Sequence, residues 1–145
     1  MGPEEIRELL RREADAWNAH DPDGVAACFA EDAELVDVSL PEPMCGRERM
    51  RAYASGYVTA FPDLRFETSE PVIGGNLVAL QWKATATHRG ELRGLPATGR
   101  KIVTQGCLVA EIGDDGRLRR GVNYWDIDAL RQQLGLLDEA PATHA

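Results

Sequence analysis

The sequence lacks most features that announce a function unaided. It has three cysteines, Cys28, Cys45 and Cys107, an odd number with no C-x-x-C spacing. That argues against a disulfide framework or a structural zinc site and predicts reduced thiols. Its three histidines, His20, His88 and His144, have no ligand spacing, so no metal site is expected. Phosphate-binding, dinucleotide-binding, zinc-protease and nucleophile-elbow motifs are missing, which removes the commonest sequence-readable enzyme classes. No apolar run approaches the ~20 residues that span a bilayer. The stretch Met1-Gly2-Pro3-Glu4-Glu5 is acidic and has no apolar segment of a secretory signal, so the cytoplasm is the default location. Basic residues are also scarce: 16 Lys and Arg face 24 Asp and Glu, for a formal charge of −8. This argues against nucleic acid or an anionic membrane as partner.

What is present reads as an ordinary globular chain. Its 145 residues predict one domain, here 1–137, with a disordered tail over 138–145. Pro3 to His20 carries Ile6, Leu9, Leu10, Glu13, Ala14 and Trp17 at helical spacing, with Pro3 suited to the first turn. Asp21 is placed to cap a short second helix that starts with Pro22 and breaks at Glu31-Asp32. Ala33 to Val38 alternates like a strand, with Leu35 and Asp37 on one face. A proline-bearing loop leads to a third helix, Arg47 to Ala60, which must end at Phe61-Pro62 because a residue before proline disfavours the helical region. Strands are expected over Leu64–Ile73, Leu77–His88, Arg100–Ile112 and Leu118–Asp126. Gly74-Gly75-Asn76 and Asp114-Asp115-Gly116 are the turns between neighbours. A last helix runs to Leu134, capped by Asp126 or Asp128. The expected class is α+β, with helices on one face of a mainly antiparallel sheet.

Three stretches carry a family resemblance. They are Ala60-Phe61-Pro62-Asp63-Leu64-Arg65-Phe66-Glu67, the run from Thr87-His88-Arg89-Gly90-Glu91 to Thr98-Gly99-Arg100, and Asp115-Gly116-Arg117-Leu118 with Tyr124-Trp125-Asp126 and Gln132-Gln133-Leu134-Gly135. In these the chain resembles the SnoaL-like polyketide (ester) cyclases of the nuclear-transport-factor-like superfamily. The resemblance implies a cone-shaped, curved mixed sheet wrapped around an apolar pocket, with helices packed on the concave face. It implies a homodimer, no cofactor, and a small apolar substrate of the kind that includes polycyclic aromatics. It further implies ring closure by intramolecular aldol condensation, with an acidic residue at the start of the last helix as general acid/base, here Asp126.

The residues themselves leave alternatives. Val122, Tyr124 and Asp126 share one strand face, so Asp126 is either an acid in an apolar pocket or a helix cap. His88 ends the face carrying Trp82, Ala84 and Ala86, and is either a carbonyl donor or a satisfied core residue. Gln105 serves a ligand carbonyl or its own scaffold. Asp37 ends a stretch similar to the one that holds the general base of ketosteroid isomerases; otherwise it holds a turn. The tyrosine of that site falls near Glu13, and its acid falls among Gln105, Gly106 and Cys107, where there is none. Trp17, Tyr53, Tyr57, Trp82, Tyr124 and Trp125 either pack the core or stack on a flat substrate. An isomerase, a cofactor-free hydroxylase and a non-catalytic binding protein remain as other readings of the same scaffold.

Overall fold

The computed structural model describes residues 2–136. The expected tail over 138–145 and the domain boundary at 137 lie outside the described residues. Helices α1 (Pro3–Asn18), α2 (Pro22–Ala27) and α3 (Arg47–Ala60) come early, and α4 (Ile127–Gln133) comes last. The strands are β1 (Phe29–Asp37), β2 (Met44–Cys45), β3 (Arg65–Thr68), β4 (Val72–Gly74), β5 (Leu77–Thr87), β6 (Lys101–Ile112) and β7 (Leu118–Trp125). They form a curved, unclosed mixed sheet in the order β2-β1-β7-β6-β5-β3, with β4 also on β5. Only β1 and β7 pair in parallel; the other pairs are antiparallel. No helix among the described residues is long and apolar enough to cross a membrane.

The helix stripe behaves as its spacing demands: Ile6, Leu9, Leu10 and Trp17 are buried against the sheet. Asp21 caps α2 through its Oδ1, which accepts the Gly24 N–H at 3.1 Å. Phe61 leaves the helical region at φ −128° and ψ 78°, as Pro62 requires. Within the proline-bearing stretch expected to be a loop, Met44–Cys45 pairs with β1 as β2, and two larger differences from the sequence reading concern β1 and the strand after α3. Glu31-Asp32 does not separate α2 from the strand: β1 already starts at Phe29, and its register against β7 slips between Phe29 and Glu34. The irregularity turns both acids outward while the strand continues. The expected strand Leu64–Ile73 is two short strands, both on β5.

The chain end of α3 meets the start of the loop after β5 very closely. Arg89 and Gly90 both donate their N–H to the Ala60 carbonyl, at 3.0 and 3.1 Å. A Cβ on Gly90 would lie 2.3 Å from the Thr59 carbonyl oxygen, so this position admits only glycine without a backbone shift. Side-chain amides finish two edges. Asn18 pairs with the backbone of Phe66, at 3.1 and 2.7 Å, and ties α1 to β3. Gln133 pairs with the backbone of Val103, at 2.7 and 2.8 Å, where β6 runs beyond the end of β7.

The inner face of the sheet is built partly from small residues: Ala84, Ala86 and Ala110 are buried, and Gly106 and Gly121 lack side chains. Three helices laid over such a face cannot fill it, and a space remains between the layers.

Candidate active site

That space is an interior cavity of about 110 Å³ between α1, α3 and the inner faces of β5, β6 and β7. Aromatic rings surround it in an unbroken belt. Tyr53 packs edge-on against Trp17 with centroids 6.2 Å apart. Trp17 meets Phe66 at 5.3 Å, Phe66 meets Trp82 at 5.5 Å, and Trp82 meets Trp125 at 6.2 Å. Tyr57 lies 5.0 Å from Tyr53 one helical turn on, and Phe61 follows it. Gly106 makes the room: a Cβ there would lie 2.5 Å from Trp82.

The belt is closed by a carboxylate. Asp37 is fully buried at the end of β1. Its Oδ1 accepts the Trp125 indole N–H at 2.8 Å, the Ser39 hydroxyl at 2.6 Å and the Ser39 N–H at 2.8 Å. Its Oδ2 accepts the Tyr53 hydroxyl. Four donors satisfy the charge that burial would otherwise penalise. Asp37 stands behind Tyr53 and Trp125, which themselves line the cavity. Burial above all, then the neighbouring Tyr57 and Asp37, hold the Tyr53 phenol well above its ordinary range, while the Asn123 amide beside it works the other way. Tyr53 is therefore a protonated phenol at neutral pH. Asn123 itself faces the cavity and accepts the Trp82 indole N–H at 2.8 Å.

A second acid lines the cavity from α1. Glu13 accepts the Trp17 indole N–H at 3.2 Å. Desolvation raises its pKa to about 7, against the smaller opposing effect of that hydrogen bond. Glu13 thus exists in both protonation states at neutral pH. Desolvation, and then the charge of Glu13, push the neighbouring Cys28 thiol up to about 11, so Cys28 is not a ready nucleophile.

The structure brings Trp17, Tyr53, Tyr57 and Trp82 to the cavity, with Asp37 behind Tyr53 and Trp125, but not Asp126, Gln105 or Tyr124. Asp126 is exposed at the N-cap of α4, where its Oδ1 accepts the N–H groups of Asp128 and Ala129 at 3.0 and 3.1 Å. The reason is strand phase. Leu35 and Asp37 pair with Gly121 and Asn123, so Gly121, Asn123 and Trp125 face inward on β7, and Tyr124 faces out at 52% exposure. Gln105 is likewise exposed on the outer face of β6, where it shares a shallow depression with Tyr124. His88 is fully buried but does not line the cavity; its ring lies 5.4 Å from that of Phe61, which does. Its Nδ1 accepts the Thr98 N–H at 3.2 Å, which places the proton of the neutral ring on Nε2. Among the described residues Nε2 is buried without a partner. The residues missed are Glu13 and Asn123, and Trp125, read only as an aromatic that packs or stacks, lies on the inward face in place of Tyr124. Glu13 had a signal, a carboxylate inside an apolar helical stripe.

A curved, unclosed mixed sheet with helices over its inner face is the ketosteroid-isomerase-like class of fold. A protein of Catenulispora acidiphila described with that fold matches at a TM-score of 0.77, with 16% identity over 90% of this chain and 94% of that one. The chain belongs to the SnoaL-like polyketide cyclase family, whose model matches residues 7–134. AclR, a candidate hydroxylase from Streptomyces galilaeus, matches at a TM-score of 0.83 and 25% identity over 97% of this chain and 87% of that one. IdmH, a candidate polyketide cyclase from Streptomyces antibioticus, matches at 0.75 and 24% identity over 90% of this chain and 98% of that one. No curated protein is similar enough to count as a match.

Proposed function

We propose that the protein is a cofactor-independent cyclase of a small apolar carbonyl compound, working by acid/base chemistry in the aromatic cavity. The observation that carries this reading is the pairing of the Tyr53 hydroxyl, at the cavity wall, with the buried carboxylate of Asp37. Intramolecular aldol condensation needs a proton taken from the carbon beside one carbonyl and a proton given to the oxygen of the other. Tyr53 can receive the first while its own proton passes to Asp37, and the neutral form of Glu13 can donate to the second. The enolate attacks the second carbonyl carbon, and the resulting alkoxide takes its proton from Glu13. Return of the Asp37 proton through Tyr53, and exchange at Glu13, restore the starting states. Such positioned groups contribute roughly 10²–10⁴-fold, and holding both ends of one molecule together adds to that. Asp126 and Gln105 have no part in this scheme, and His88 acts only by supporting Phe61. The free thiols of Cys28, Cys45 and Cys107 favour a cytoplasmic location. Exposed Val103, Val109 and Tyr124 on the outer sheet face support a homodimer.

The test is turnover of a panel of aromatic keto-esters, with binding followed by tryptophan quenching. Tyr53→Phe should lower kcat about 100-fold with binding retained, and Asp126→Asn should leave kcat within about twofold, because asparagine also caps a helix. Loss of turnover in the Asp126 variant alone would falsify the assignment.

The buried, inward position of Asp37 favours one other reading, an isomerase that moves a proton beside a ketone. Solvent deuterium incorporated into a product with no new ring would identify it.

A further inference from the structure

The interior cavity is too small for a polycyclic substrate. At about 110 Å³ it is of the same order as the roughly 150 Å³ cavity that takes a single benzene, so it has room for one ring and the rest of a larger substrate must lie outside it. A second recess of about 220 Å³ lies on the other side of Tyr53 and Tyr57, which line both spaces. Its walls include Leu40, Met44 and Leu92, so it continues the apolar character inward, but it also presents Arg49, Glu91 and Arg93.

Arg93 is held there by a tight turn. Leu92 and Leu95 exchange backbone hydrogen bonds at 3.0 and 2.8 Å, and both pack on the core. Between them Arg93 and Gly94 take φ of 47° and 84°, the left-handed pair of a two-residue hairpin. That pair favours Asn-Gly or Asp-Gly; an arginine in the first place is held against its backbone preference. The turn sets the guanidinium over the Tyr57 ring, 5.6 Å from its centroid, with Nη2 donating to the Tyr57 hydroxyl at 3.0 Å. One of its five N–H groups is thereby engaged. Among the described residues neither Arg93 nor Arg49 makes an ion pair, although the chain has an excess of acids. Two unpaired guanidinium groups against one carboxylate leave the recess positive.

We propose that the recess is the outer half of the substrate site, and that Arg93, assisted by Arg49, binds a carboxylate carried by an aromatic substrate whose leading ring enters the cavity between Tyr53 and Trp82. The substrate class is thus an aromatic acid rather than a neutral polyketide. A planar guanidinium with free N–H groups matches a carboxylate in both geometry and charge. This deepens the proposed function and rests on it only for the chemistry at the ring.

Calorimetric titration with 2-naphthoate and 2-naphthamide, which share a shape and differ in charge, tests it without turnover. The acid should bind about 10-fold or more tightly than the amide to the wild-type protein. Arg93→Asn, which suits the left-handed turn better than arginine, should remove most of that preference while leaving the amide affinity unchanged. Arg93→Lys should keep part of it. Equal affinity of the two probes, binding of neither, or equal loss of both in Arg93→Asn overturns the proposal. Turnover of neutral keto-esters with no charge preference would leave the cyclase reading standing and this one refuted. A charge preference without turnover would do the reverse.

Discussion

Two carboxylates stand at the cavity among the described residues, Asp37 buried and Glu13 half-buried, and their surroundings set them apart. Asp37 is met by four donors, so its charge is matched where it stands. Glu13 has one, the Trp17 indole, and desolvation dominates. The sign of its effect on stability follows. The folded protein holds a proton on Glu13 up to about pH 7, whereas the unfolded chain releases it near 4.5. Stability from this group is therefore complete below about pH 4.5 and declines as pH rises to about 7. The shift converts to at most about 3 kcal/mol, less for the part of the side chain that water reaches. Glu13→Gln should flatten this part of the profile in denaturant unfolding between pH 5 and 8. An unchanged slope would show that Glu13 is ionised in the fold. Glu13 was legible as an anomaly in its helical stripe. The partners of Asp37 were not, because Tyr53 and Trp125 are 16 and 88 residues away from it.

Among the elements, the helices follow their own sequences and the late strands depend on their neighbours. Pro3, Asp21-Pro22 and Phe61-Pro62 mark helix ends by local chemistry, and the structure places them there. The inward face of β7 could not be read this way, because Tyr124 and Trp125 are adjacent aromatics and either would make an acceptable apolar face. The parallel pairing with β1 decides the matter, together with the space that Gly106 leaves across β6. The contact between α3 and the loop after β5 is the most demanding of these long-range fits. Gly90→Ala should destabilise the protein by about 2 kcal/mol or more, since the clash is with the Thr59 backbone and no flexible side chain can yield. A shift in thermal midpoint of less than about 2 °C would show that the α3 end moves aside freely.

For the whole molecule, the curved sheet has two unlike faces. The inner one is covered by helices and holds the cavity. The outer one leaves Val103, Val109 and Tyr124 between 44% and 52% exposed. If this face is the proposed homodimer interface, sedimentation at tens of micromolar should give twice the chain mass, and Val109→Asp should weaken association about 10-fold or more. A monomeric wild-type protein would remove the dimer from the functional picture and leave the cavity untouched. The sequence alone determined the α+β class, the order of the elements, the helix ends and the stretches that mark the family, all of which depend on neighbours in the chain or on short periodic patterns. Only the tertiary structure decided which acids stand at the cavity. Asp126 sits where a strand's alternation stops and a helix begins, so its side chain turns to the free N–H groups of the helix. Glu13, Tyr53 and Asp37 come from α1, α3 and β1, and the packing of the two helices over the inner face of the sheet is what brings them to one cavity.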